Sequence, residues 1–129
     1  MTIFALSSGS GVSGIAVVRI SGEKTKDLIK FITNKELPEP RVATLRKINK
    51  INTSELIDEG IILWFPGPES YTGEDMAEIH VHGSKAVVDA LHSSLADIED
   101  CRLAEPGEFT KLAFQNGKIN LLKAESIAD

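Results

Sequence analysis

Hydrophobic and polar residues change their spacing several times along this chain, and each change marks an element. Ile3 to Ser7 reads as a short strand, and Ile15 to Ile20 as a second, apolar except for Arg19. From Glu23 to Ile32 the apolar residues Leu28, Ile29, Phe31 and Ile32 take helical spacing, with Lys24, Lys26 and Lys30 outside. Leu37-Pro38-Glu39-Pro40 ends that unit as an extended linker. Ala43 to Ile48 alternates as a strand carrying Arg46 and Lys47. A hairpin connection at Asn49 to Ser54 leads to Ile57 to Phe65. There the run Ile61 to Phe65 is apolar on both faces, which predicts an interior, buried strand.

The stretch from Pro66 to Gly83 organises the rest. Pro66-Gly67-Pro68 excludes helix and central strand, so its first half is a loop. Its second half alternates: Glu78, His80 and His82 fall on one face of a strand, with Ala77, Ile79 and Val81 on the other. Gly83 ends that strand. Ser84 then caps an amphipathic helix that runs through Ala86, Val87, Ala90, Leu91, Leu95 and Ile98. Cys101 to Ala104 is a short strand. Glu105 to Thr110 is a turn that opens a helix ending at Asn116, with Gly117 just beyond it. Asn120 to Asp129 starts like another helix but carries no closing glycine, so it is expected to be the opening of a longer one.

Composition narrows the function classes. At 129 residues the chain is one domain, with 42% hydrophobic and 26% charged residues. A formal net charge of −5 does not favour binding of nucleic acid by this piece alone. The single Cys101 excludes an internal disulfide and a multi-cysteine zinc site. No apolar run approaches the roughly 18 residues of a membrane span.

Candidate chemistry is local. Gly9, Gly11 and Gly14 fit a Gly-x-Gly-x-x-Gly pattern. A dinucleotide loop must open a helix, however, and here a β-rich segment follows, so a turn between strands is the better reading. Arg19, the only charge between Ile15 and Ser21, either reaches solvent or is aimed at an anionic ligand or a carboxylate. Glu78, His80 and His82 admit four readings: a two-imidazole metal site, a catalytic acid or base, the solvated face of an edge strand, or ligand recognition. No second cluster completes a metal set. In the ligand reading, the Glu78 carboxylate accepts two parallel N–H donors, as the edge of a pterin or purine supplies them. Lys118 follows a helix-ending glycine, where it either faces the helix carbonyls or reaches an anionic tail. The chain has no Walker A loop and no nucleophile-plus-base arrangement, so alone it reads as a binding or assembly domain.

Seven ordered blocks carry a family resemblance: 2–7, 14–22, 65–68, 71–75, 78–83, 104–110 and 113–121. These include Tyr71-Thr72-Gly73-Glu74-Asp75, Glu78-Ile79-His80-Val81-His82-Gly83 and Ala104-Glu105-Pro106-Gly107-Glu108-Phe109-Thr110. Together they resemble the N-terminal domain of the MnmE (TrmE) family of tRNA-modification GTPases, over nearly the whole chain. The resemblance implies an α+β fold, a mixed β-sheet with flanking helices, similar to the folate-binding domain of the glycine-cleavage T-protein. It implies an N-terminal folate-binding and dimerisation domain at 1–119 and the start of a helical domain at 120–129, with the GTPase domain outside this chain. Matched motif by motif, the contacts to 5-formyltetrahydrofolate would be Arg19, Glu78 and Lys118. The expected partners are a second copy, a flavoprotein of the MnmG type, tRNA and GTP. Potassium and magnesium are expected only for the GTPase domain. Together the partners would modify the wobble uridine of tRNA with a folate-carried one-carbon unit. The family's first loop often carries prolines and an arginine where this chain has Ser8-Gly9-Ser10-Gly11-Val12-Ser13, so no ligand contact is assigned there. The opening Ile3 to Ser8 looks closer to the mitochondrial branch, which points to a mitochondrial location, with the bacterial cytoplasm as the alternative. Two other classes compete: an assembly domain with no folate role, and a free-standing one-carbon transferase of the T-protein type.

Overall fold

The computed structural model describes residues 1–7 and 14–119. The glycine pattern from Gly9 to Gly14 and the helix expected from Asn120 onward fall wholly or mainly outside the described residues. Six strands and three helices follow in order: β1 (Thr2–Leu6), β2 (Ile15–Ser21), α1 (Thr25–Thr33), β3 (Thr44–Asn49), β4 (Leu56–Phe65), β5 (Met76–His82), α2 (Lys85–Ala96), β6 (Cys101–Leu103) and α3 (Glu108–Gln115). The strands form one sheet in the order β3-β4-β5-β2-β1-β6. All neighbours are antiparallel except β1 and β6, which makes the sheet mixed and the fold α+β.

One face of the sheet is closed by α1 and α2. Leu28, Ile29 and Ile32 of α1 and Leu91 and Leu95 of α2 meet Phe4, Val18, Ile62 and Ile79 from the strands, and all of these are fully buried. At about 25 cal/mol per Å² of apolar surface removed from water, this face is the main source of stability. Ser84 caps α2 as its sequence predicts, its side chain accepting from the Val87 N–H at 3.1 Å. Gly117 takes φ 72° after α3, the left-handed conformation that glycine adopts without strain.

Two readings of the strands change, the edge-strand alternative for β5 and the two-sided burial of β4. β5 is not an edge strand: it lies between β4 and β2, near the middle of the sheet. Its polar row therefore sits on the open face of an interior strand, where backbone groups are paired on both sides. β4 is interior as expected, but it buries only one face. Ile62 and Trp64 are buried under the helices, while Ile61, Leu63 and Phe65 are half-buried on the other side.

That other face reads as three cross-strand rows. Phe65, Met76, Ser21 and Ile3 form the first, Leu63, Glu78, Arg19 and Ala5 the second, and Leu45, Ile61, His80 and Val17 the third. Helix α3 and the loop 66–75 cover the first row, through a small cluster of Ile3, Met76 and Phe109 with Phe65, Tyr71 and Leu112 against it. The second row lies at the rim of this cover. The third is open.

Candidate functional site

The loop between β4 and β5 is held from several directions. The Ser21 hydroxyl lies 2.8 Å from the Thr72 hydroxyl and donates to Glu74 Oε1 at 2.8 Å. The Gly67 N–H donates to Asp75 Oδ1 at 2.9 Å, and the Asn116 amide donates to the Thr72 carbonyl at 2.7 Å. Tyr71 is thereby set at the rim, its hydroxyl 3.1 Å from that of Thr110.

Arg19 lies below this rim. Its guanidinium carbon is 5.3 Å from the centre of the Tyr71 ring and 5.6 Å from that of Phe109, within cation–π range of both. It lines a cleft of about 290 Å³ with Ala5, Leu6, Ala104, Glu105 and Phe109. The far wall of the cleft is braced by Arg102, whose two terminal nitrogens donate to the two oxygens of Glu108 at 2.7 and 2.5 Å. The same carboxylate accepts the Glu105 N–H at 2.9 Å. The Arg102 fork holds the Glu108 carboxyl below its ordinary range against the opposing effect of burial.

Glu78 stands directly opposite Arg19 across β2 and β5. Opposite charges at such a position usually pair. Here, among the described residues, they do not: Arg19 turns toward the aromatic rings, and Glu78 Oε1 lies 3.0 Å from His80 Nε2. The two charges are neighbours on one face, and each retains free hydrogen-bonding capacity. Lys118 is placed elsewhere. Its ammonium donates to the Pro68 carbonyl at 3.0 Å, on the outside of the loop, and its stem runs past Gly73. The structure thus joins Arg19 to Glu78 by strand register and brings Lys118 only to the loop above them. It does not leave the Lys118 head group on the carbonyl end of α3.

The polar row of β5 is divided between partners. His80 goes to Glu78, while His82 turns to Asp58 of β4, with its Nδ1 2.9 Å from Asp58 Oδ2. Asp58 also accepts the His82 backbone N–H at 2.8 Å. Burial pushes the Asp58 carboxyl up, but these bonds and the Glu59 N–H outweigh it and hold the group below its usual range. Among the described residues no group of three or more His, Cys, Asp or Glu side chains is arranged to hold a metal ion. Tyr71, Phe109 and Asp58 are site neighbours that the sequence pattern did not single out. All three lie far in sequence from the residues they meet, so no local spacing could have found them.

Comparison with known proteins bears on this geometry. The family model described as "GTP-binding protein TrmE N-terminus" matches residues 2–118. The chain belongs to this TrmE N-terminal family. It is 81% identical over its whole length to a tRNA modification GTPase MnmE of Pelagibacter ubique, of which it covers 29%. It is 52% identical to the tRNA modification GTPase MnmE of Brucella anthropi, with 99% of the chain and 28% of that protein aligned. It is 47% identical to a mitochondrial 5-taurinomethyluridine-tRNA synthase subunit of Danio rerio, with 99% of the chain and 25% of that protein aligned. The chain therefore spans under a third of the length of these relatives. The mitochondrial leaning of the opening residues does not extend to the chain as a whole, which is far more like the Pelagibacter protein than the Danio one. No helix among the described residues is long and apolar enough to cross a membrane.

Proposed function

We propose that this chain is the tetrahydrofolate-binding and dimerisation domain of a tRNA-modification GTPase. In this reading the whole protein hydrolyses GTP and works with an MnmG-type flavoprotein on the wobble uridine of tRNA. The one-carbon unit comes from 5-formyltetrahydrofolate, and the bacterial cytoplasm is the setting. Family membership and the names of the relatives support the GTPase and tRNA parts. The observation that carries the folate part is the unpaired juxtaposition of Arg19 and Glu78 on the open sheet face.

A pterin presents two adjacent N–H donors at one edge, which suits a carboxylate with a free oxygen. The ligand's tail carries carboxylates, which suit Arg19 and Lys118. The residues present fit the group: an acceptor, a cation and aromatic rings lie at the border of a half-apolar face, with Lys118 on the loop above. Once bound, the folate would supply the one-carbon unit. This chain's residues would bind and orient it, with Glu78 on the ring edge and Arg19 and Lys118 on anionic or acceptor groups. A second reading, assembly without folate, draws on a separate observation. Leu45 in the open third row and Ile15 beside His82, one row beyond it, are each 58% exposed, an apolar surface suited to a second copy.

Calorimetric titration of 5-formyltetrahydrofolate into wild type and Glu78→Ala tests the main reading, with light scattering to follow oligomeric state. Saturable binding that weakens at least tenfold in Glu78→Ala is the expected result. This is the scale of hydrogen bonds to a charged group. A dimer that binds no folate in either form would overturn the folate part and leave assembly.

A further inference from the structure

We infer that His80 is a positioning residue for the Glu78 carboxylate, fixing it so that its open edge is presented to a ligand's N–H donors. The inference rests on the folate reading above.

His80 Nε2 lies 3.0 Å from Glu78 Oε1. A carboxylate only accepts, so the bond requires the imidazole to carry a proton on Nε2 and donate. This uses one acceptor site of the carboxylate. Glu78 Oε2 makes no hydrogen bond among the described residues, and with the second lone pair of Oε1 it stays open to a donor pair. The imidazole is itself confined. His80 lies between Ile61 of β4 and Val17 of β2 in the third row, with its side chain 30% exposed and that of Glu78 26% exposed.

The backbone beneath is tight as well. A Cβ on Gly60 would fall 2.1 Å from the His80 carbonyl oxygen, so only glycine lets β4 approach here. The strand, the ring and the hydrogen bond together hold a glutamate that would otherwise sample several rotamers. Fixing that side chain before binding removes an ordering cost from the association step. His82 does not share this role, because its ring is turned to Asp58. Alternation on β5 places both imidazoles on one face, but the hydrogen bonding assigns only one of them to the carboxylate.

Two variants and one spectrum test the assignment. His80→Gln keeps an N–H at comparable reach, and His80→Phe keeps the ring volume without the donor. Titration with 5-formyltetrahydrofolate should give His80→Gln within about twofold of wild type and His80→Phe roughly tenfold weaker, the size of a hydrogen bond to a charged acceptor. Unchanged melting temperatures would separate this loss from unfolding. Independently of any ligand, the 15N spectrum of the His80 ring should show the Nε2–H tautomer in wild type and a shifted tautomer population in Glu78→Ala. If wild type binds and His80→Phe binds equally well, the positioning role falls while the folate reading stands. If wild type does not bind, the folate reading falls and takes the positioning role with it. A tautomer indifferent to Glu78→Ala would also overturn the coupling.

Discussion

The two faces of strand β5 differ by a single residue step, yet they obey different rules. On the helix-covered side Ala77, Ile79 and Val81 are buried and belong to the apolar core. On the open side Glu78 and His80 are half-buried and His82 is exposed, and each finds a polar partner or keeps an open one. The covered face is specified by volume and transfer from water, so an apolar side chain of similar size would serve. The open face is specified by hydrogen-bond direction, which tolerates far less chemical change. In the proposed reading, stability and ligand binding are therefore separable by alternate residues on one strand.

The sharpest break of that comparison sets Ile79→Ala against Glu78→Ala. Ile79 is fully buried under the helices, so truncation removes transfer energy and leaves a cavity, at a cost of about 3 kcal/mol. Urea melts should show that loss, while the fraction still folded keeps its folate affinity. Glu78→Ala should do the reverse, changing stability by less than about 1 kcal/mol because the side chain is partly solvated and its histidine partner can rehydrate. If both variants lost stability alike, the two faces would not be separable in this way.

How much of this was legible in the sequence follows the same division. Apolar periodicity, with turn and capping residues for the last helix, placed the six strands and three helices among the described residues, since alternation and 3.6-residue spacing are consequences of burial. The Ser84 cap and the Gly117 terminator were readable because each works within a few residues of itself. Sheet order was not readable: an edge strand was one of four open readings for β5, which lies inside, because a polar row looks the same on any half-covered strand. The site was half legible. Arg19 and Glu78 stood out as charges in apolar strands, and register makes them neighbours. The turn of Arg19 toward Tyr71 and Phe109, and of His82 toward Asp58, depends on long-range packing that no local pattern encodes. Lys118 stood out by its place after a helix-ending glycine and again by its motif, and its bond to Pro68 shows a tie to the loop that neither reveals.

A smaller effect is expected at the rim where the covered first row meets the open second. Tyr71 packs against the Phe109 cluster and faces the Arg19 guanidinium at 5.3 Å. Tyr71→Leu keeps an apolar side chain but loses the ring face and the hydroxyl contact to Thr110. Losing a partly solvated cation–π contact costs about 0.5–1 kcal/mol. The folate titration should therefore weaken roughly threefold to fivefold, and Tyr71→Phe should stay close to wild type because the ring is retained. Equal weakening in Phe and Leu variants would assign the effect to the hydroxyl instead.

The smallest effect concerns the exception on the covered face. His92 of α2 has a buried Nε2 with no hydrogen-bond partner among the described residues, and its ring lies 5.5 Å from that of Phe4. Burial pushes its pKa below the ordinary 6.5, with Asp89 acting weakly the other way. The sign follows from linkage. Between the lowered folded value and 6.5 the unfolded chain binds a proton that the folded chain does not, so this group lowers stability as pH falls below 6.5. Above 6.5 its contribution is flat. His92→Phe keeps an aromatic ring against Phe4 and removes the orphaned nitrogen, so it should stabilise by about 0.5 kcal/mol at pH 7.5. The gap between variant and wild type should widen at pH 5.5. Urea melts of both proteins at the two pH values measure it, and a gap that does not change with pH would show that His92 stays equally protonated in the folded and unfolded chains.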